Sequence, residues 1–353
     1  MTPLPPPAPL RIVQFGLGPI GRACAALVLD RPDLHLVGAI DHAPDLAGRP
    51  LADVLGREAA EGTVHADARA ALDALRPDVV LHTTASFLDR IEGQILACVD
   101  AGAHVVSSSE ELFWPFARDA AWAARVDAAA CEAGVAVVGT GVNPGFVMDL
   151  LPVVLSSVVA RVDRVEVTRS VDAGRRREPL QRKVGAGLSP EAFAAREAAG
   201  GFGHIGMLES ARALAAGLGW HDAAFRETFG PHLAAATHQT AHVRVEPGQV
   251  AGIHQTAHVL VGGEERATLT LTMAVGAPDE DRIMIYGEPD LRVVVEGGTF
   301  GDTATVAAVV NAARRVGQAA PGLRTMLDLP AAAVGHVAAG RSAAGHAAAG
   351  HAT

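Results

Sequence analysis

Three glycines, Gly16, Gly18 and Gly21, follow the apolar run Arg11–Gly16 and open a helical pattern through Pro19 and Ile20. In that context the spacing describes a phosphate cradle. Gly16 permits a tight turn, Gly18 lets the backbone approach a pyrophosphate, and Gly21 allows close helix–strand packing beneath a helix N-terminus that faces the anion. Asp41 closes the next apolar run, where a carboxylate can hold the adenosine ribose hydroxyls of a dinucleotide. A carboxylate there repels a 2′-phosphate and favours NAD, while Arg49 on the following loop leaves NADP open. The expected cofactor is therefore NAD or NADP.

Further along, three more strand ends carry chemistry. Thr83, Thr84 and Ala85, with Ser86, are small enough to let a nicotinamide ring approach, although Ser86 serves equally well as a helix cap. The next strand runs into Ser107–Pro115, where Glu110 and Glu111 precede Phe113 and Trp114. Paired carboxylates at a strand tip followed by aromatics are unusual for a mere connector. The strand after that ends in Gly139–Phe146, and Asn143 there could bond a carboxamide or a substrate. Phe113, Trp114, Phe146 and Phe202 are candidates for an apolar substrate wall, with core packing as the competing role, and His204 is a candidate polar contact. The hexapeptide HQTAHV occurs at His238–Val243 and His254–Val259. Without Asp, Glu or Cys ligands at metal spacing, the two copies read as neighbouring strands with polar alternation, and no metal site is expected.

These groups need a scaffold that brings strand ends together, and the chain has the length for one. Its 353 residues suggest two or three domains at roughly 100–200 residues each. With 49% hydrophobic and 19% charged residues, the bulk of the chain is expected to fold. Residues 10–150 alternate short apolar strands with amphipathic helices, the pattern of a Rossmann-type, doubly wound parallel sheet in an α/β fold. Residues 151–300 change character. Thr268–Val275 alternates strictly between apolar and threonine positions, which predicts a second α+β domain on a mainly antiparallel sheet. Strands are also expected over 162–168, 241–245, 257–261, 282–286 and 291–295, and helices over 190–198 and 205–218. Residues 301–330 predict a C-terminal helix packing back on the first domain. Residues 1–9 read as a proline-rich arm, and the Ala/Gly/His stretch 331–353 as a low-complexity tail.

A net charge of −10 argues against nucleic-acid partners. With no apolar run near the ~20 residues that cross a bilayer, no membrane association is expected. Three widely spaced cysteines fit a reducing cytoplasm.

Elimination narrows the chemistry. Lys183 is the only lysine and Tyr286 the only tyrosine. Ketone reductases of the Tyr-x-x-x-Lys type are excluded, because Asp290 stands four residues after Tyr286. Sugar dehydrogenases with a Glu-Lys-Pro motif have no lysine to match at the strand-five tip. Amino-acid dehydrogenases need catalytic lysines in a glycine-rich context, whereas Lys183 follows the basic stretch Arg175–Arg182. The segments HTTASF (82–87), VVSSSEELFWP (105–115) and TGVNPGF (140–146), with Gly-Asp-x-x-Thr…Asn-Ala from Gly301, resemble the dihydrodipicolinate-reductase-like family of 2,4-diaminopentanoate dehydrogenases and amine dehydrogenases.

This resemblance spans about Leu10 to Pro330. It implies NAD(P)-dependent reductive amination of small ketones or aldehydes with ammonia, the reverse oxidative deamination of amines, and a homodimer. By the same resemblance one strand-five glutamate is catalytic, assigned to Glu110 with Glu111 in reserve. A carboxylate suits an iminium cation, which it stabilises electrostatically and whose proton transfers it can serve. The alternatives are a reductase of a cyclic imine or a diamino-acid dehydrogenase, with Arg175–Arg177 as the arginines to watch, and a non-catalytic nicotinamide sensor.

Overall fold

The computed structural model describes residues 8–200 and 202–330. The tail expected over 331–353 and nearly all of the proline-rich arm lie outside the described residues.

The first half runs β1 (Leu10–Phe15), α1 (Pro19–Leu29), β2 (Leu34–Ile40), α2 (Leu51–Leu55), β3 (Val64–His65), α3 (Ala68–Leu75), β4 (Val79–His82), α4 (Leu88–Asp100), β5 (His104–Ser107), α5 (Ala120–Ala133) and β6 (Ala136–Gly139). After α6 (Leu150–Ser156) come β7 (Arg161–Asp172), α7 (Glu178–Lys183), α8 (Pro190–Ala198), α9 (Met207–Gly217), β8 (Ala224–Leu233), β9 (His238–Gln239) and β10 (Arg244–Val245). The chain continues through β11 (Val250–Val261), β12 (Glu264–Ala274), β13 (Glu280–Glu288), β14 (Leu291–Glu296), α10 (Gly301–Val316) and β15 (Gly322–Arg324).

Two sheets organise these elements. The first is a seven-stranded parallel sheet in the order β15-β6-β5-β4-β1-β2-β3, with helices on both faces. Every residue of β4 and β6 is buried, as strands covered on both faces must be. The helices earn their places by stripe and cap. Ile91, Ile95 and Cys98 line the buried side of α4, and the Asp119 carboxylate caps α5 by accepting from Trp122 N. The second sheet, β14-β13-β7-β12-β11-β8, carries α9 against β11, β12 and β8. Ala267, Leu269 and Leu271 of β12 face that helix, while Thr268, Thr270 and Thr272 are only half-buried on the opposite face. No helix among the described residues is long and apolar enough to cross a membrane.

The second sheet is mainly antiparallel, as expected, with β7 and β12 its one parallel pair. Other sequence expectations need correction. Residues 241–245 form only the two-residue β10, paired with β9 apart from the large sheet. The two HQTAHV copies are therefore not neighbouring strands. The first lies at β9 and the turn after it, and the second lies within β11 between β8 and β12. Residues 301–330 are more than a helix: α10 packs on α1, and the chain then adds β15 to the edge of the first sheet. The long strand β8 had no alternating apolar signal, since most of its residues are exposed at the sheet edge.

The α1 junction is the tightest point of the first sheet. A Cβ on Gly21 would overlap the Gly16 carbonyl oxygen and stand 2.7 Å from Thr83 Oγ1, whereas one on Gly18 meets nothing within 4 Å. Gly21→Ala should therefore destabilise the chain by about 1–3 kcal/mol through overpacking, and Gly18→Ala by less than about 0.5 kcal/mol. Urea unfolding of the two variants checks this, and equal losses would contradict it.

Candidate active site

The carboxyl ends of β1, β4, β5 and β6 lie along one edge of the parallel sheet, facing the second domain across a cleft of about 420 Å³. Gly18, Pro19 and Ile20 form one end of it, and Thr83, Thr84 and Ala85 its floor. Glu110 enters from the β5 tip and Asn143 from the β6 tip. The opposite wall comes from the second domain through Arg169, Arg176, His204 and Met273, and α10 contributes Gly301, Asp302 and Thr305.

The glycine loop fits a dinucleotide phosphate. Gly16 holds a φ of +92°, the α1 N-terminus has Gly18 as its cap with no side chain bonded to it, and the space over Gly18 is open. The first-turn amides are thus free to receive an anion. Asp41 accepts from Leu17 N at 2.7 Å and from Ala43 N at 2.9 Å, so its carboxylate is fixed at the β2 tip. Arg49 is exposed on the loop beyond and does not line the cleft.

A buried polar network sets the β4 and β5 tips. The His82 imidazole meets Ser107 Oγ at 2.9 Å through Nδ1 and Gln94 Oε1 at 2.7 Å through Nε2, and the Thr84 hydroxyl donates to the same Gln94 oxygen at 2.6 Å. Ser109 N donates to Ser107 Oγ, and the Ser109 hydroxyl donates to the Ser86 carbonyl. The loop ending at Glu110 is therefore stitched to the strand beside it.

The two glutamates separate in space. Glu110 opens the 3-10 turn 111–113 and faces the cleft. Glu111 is buried, accepts from Leu88 N at 2.9 Å and pairs with Arg118 at 3.0 Å. Asn143 lies 3.5 Å from the Ser210 hydroxyl, which donates to the fully buried Asp149 at 2.6 Å. Burial pushes the Asp149 carboxyl up to about 6, against the hydrogen bonds from Ser210, Gly145 and Leu150.

Of the expected substrate-wall residues, His204 reaches the cleft and the four aromatics do not. Phe113 is packed into the core under β6, with its turn pressed on Gly139. Trp114 stacks edge-on with Phe116. Phe202 belongs to a cluster with Phe193 and Phe229, and Phe146 lines a separate apolar hollow beside α6 and α10. Phe113 and Phe202 find their apolar contacts in packed clusters, whereas Phe146 remains largely exposed at its hollow. His204 is held through its backbone, since Gln255 accepts from His204 N and donates to His204 O. Its Nε2 has no partner, and burial, reinforced by Lys183 and Arg169, lowers the imidazole to about 3, so it faces the cleft neutral.

Sequence reading missed Arg169, Met273 and Asp302 as cleft residues. Arg169 donates through Nη1 to both oxygens of Asp281, at 2.7 and 2.8 Å, and through Nη2 to the Thr299 carbonyl at 2.7 Å. Of the arginines 175–177, only Arg176 lines the cleft. Its Nε and Nη1 are buried without partners, with the guanidinium 3.8 Å over the Phe300 ring. Arg175 and Arg177 pair instead with Asp279 and Asp302. A lone cation in an alternating strand gave no signal for Arg169. The Gly301–Asp302 and Thr305 pattern did mark the start of α10.

The His82 network makes a pH-dependent contribution to stability. Burial lowers the imidazole from 6.5 to about 4, so between those values the unfolded chain binds the proton that the native state refuses. Stability present above pH 6.5 is lost as pH falls toward 4, by about 3 kcal/mol. His82→Asn should flatten urea-unfolding stability across that window relative to the parent chain. An unchanged slope would contradict the assignment.

The family model of the 2,4-diaminopentanoate dehydrogenase C-terminal domain matches residues 146–342, more than half of the chain. The 2,4-diaminopentanoate dehydrogenase of Acetoanaerobium sticklandii is 28% identical over 330 residues, covering 91% of this chain and 93% of that protein. An amine dehydrogenase of Streptomyces virginiae is 26% identical over 350 residues, covering 90% and 95%. Among solved structures, the amine dehydrogenase from Mycobacterium smegmatis superposes with a TM-score of 0.77 at 24% identity, covering 92% of this chain and 97% of that one, and it shares the fold. The glycine loop, the paired sheets and the matched second domain together make this chain a member of the 2,4-diaminopentanoate dehydrogenase family.

Proposed function

We propose that the chain is an NAD(P)-dependent amine dehydrogenase. It would aminate small ketones or aldehydes with ammonia and run the reverse oxidative deamination. The observation that carries this reading is the division of labour between the two glutamates: Glu110 faces the cleft while Glu111 is spent on Arg118 and Leu88 N. The names of the Acetoanaerobium and Streptomyces relatives support the same reaction class.

Gly16, Gly18, Pro19, Ile20 and Gly21 would hold the pyrophosphate, Asp41 the ribose, and Thr83, Thr84, Ala85 and Asn143 the nicotinamide end. Asp41 favours NAD, while the exposed Arg49 on the following loop leaves NADP open. When bound there, a nicotinamide would supply or accept the hydride. Glu110 does the rest from the chain's side: its carboxylate stabilises the positive charge of an iminium carbon and takes protons from attacking ammonia. As its conjugate acid it protonates the departing hydroxyl. His204, neutral and unpartnered at Nε2, orients a substrate hydrogen-bond donor on the other wall. The polar outer face of the second sheet supports a homodimer paired across it, and three free cysteines support a cytoplasmic setting.

Consumption of NAD(P)H with a small carbonyl compound should require ammonium; equal rates without it would make the chain an alcohol-forming reductase. Glu110→Gln keeps the size and removes the charge. It should lower kcat by about a hundredfold or more with cofactor affinity unchanged. Retained turnover would move the role elsewhere, and cofactor binding without turnover on a broad carbonyl and amine panel would favour a sensor.

The unpartnered Arg176 favours a second reading within the same chemistry, a substrate that carries a carboxylate, as a diamino acid does. A half-buried guanidinium whose Nε and Nη1 lack partners gains most from a bidentate acid. Arg176→Met should raise KM about tenfold or more for oxo acids while leaving neutral ketones within about twofold. Equal effects on both classes would remove the carboxylate anchor.

A further inference from the structure

The first turn of α9 presses on the two strand tips that carry Glu110 and Asn143. Gly206, at its N-terminus with a φ of +105°, lies so close that an added Cβ would overlap the Pro144 ring and stand 3.4 Å from Glu110 Cβ. The same turn sends two consecutive buried side chains into the first domain. Ser210 bonds Asp149 behind Asn143, and Glu209, 1% exposed, accepts from Arg118 Nε at 3.0 Å. The same guanidinium forms an ion pair through Nη1 with Glu111 at 3.0 Å, directly after Glu110. Arg118 is thus a single cation forked between two buried carboxylates, one from each domain, and its planar donors suit that geometry as an ammonium would not.

We propose that Arg118 is a positioning residue. It locks the α9 turn to the β5 tip and so fixes Glu110 against the wall that carries His204. This rests on the catalytic reading of Glu110 given above. His204 is only five residues before Glu209, and its backbone is gripped by Gln255, which also donates to Glu227 at 2.6 Å. One wall of the cleft is therefore indexed to the other through Glu111, Arg118 and Glu209, without any of the three lining the cleft. An offset on the order of 1 Å in a reacting group costs about a hundredfold in rate.

The test compares the full chain with Arg118→Gln and Arg118→Lys. The lysine variant keeps the charge and loses the fork, and it serves if the glutamine variant, which strands two buried carboxylates, does not fold. Val126→Ala, deep in α5, controls for general loss of stability. In either Arg118 variant kcat for ammonium-dependent turnover should fall about tenfold or more, with KM for the nicotinamide cofactor within about twofold. Val126→Ala should leave kcat within about twofold at a temperature where it is folded. Amide hydrogen exchange should speed up over 108–113 and 204–210 in the Arg118 variants and stay unchanged over 10–29. A folded Arg118 variant with kcat within about twofold of the parent overturns the proposal, as does unchanged exchange at both segments. Exchange is read without turnover. If the parent chain aminates nothing, the proposed function falls on its own, and exchange still decides whether Arg118 holds the two segments together.

Discussion

Everything in the cleft depends on how closely α1 sits on the tips of β1 and β4. The Gly16 carbonyl accepts from both the Gln14 amide, at 3.0 Å, and the Thr83 hydroxyl, at 3.1 Å, and position 21 above it fits a residue without a Cβ with no displacement. That contact brings the helix N-terminus down to the sheet edge, where its unpaired amides face outward. The parallel register then places the ends of β4, β5 and β6 in line beside it, so that small residues, a carboxylate and an amide follow one another along one rim.

The second domain's own wall of the cleft is set by buried polar contacts within it. Arg169 and Asp281 form an ion pair in which both side chains are almost fully buried, and Asp281 also accepts from Thr299 N at 2.7 Å. A charge pair so deep is a weak source of net stability, because desolvation offsets most of its attraction. Its value here is geometric. It fixes the turn that leads into α10, whose first residues stand at the cleft and whose later ones cover α1. Strand, helix and cleft wall are thereby held in one arrangement.

Much of the first domain was legible in the chain because its signals are local. The glycine spacing, Asp41 at a strand end, and the runs of small residues at 83–86 follow from backbone sterics within a few positions, and they stand where that reasoning puts them. The pairing of Glu110 with Glu111 was visible, but only folding separates one into the cleft and the other onto Arg118. For Phe113, Trp114 and Phe146 the sequence left cleft and core packing both open, because an aromatic after a strand tip looks the same whether it turns inward or outward. Arg169 and the α9 turn were hard to find for the opposite reason. Their roles come from contacts across 61 to 112 positions, as between Arg169 and Asp281, and no local pattern records them.

The strand β15 gives the fold an order in time. It pairs with β6, yet the two are separated in the chain by the whole second domain, and α10, which covers α1, also comes late. During synthesis the nucleotide-type sheet therefore emerges with one edge unpaired and the α1 face bare. It stays so for roughly ten to forty seconds, while the intervening residues are added. An apolar surface that includes Val28 and the strands beneath it must wait for Val306, Val309 and Val310 to arrive. The chain's last described segment is thus the one that completes its first domain.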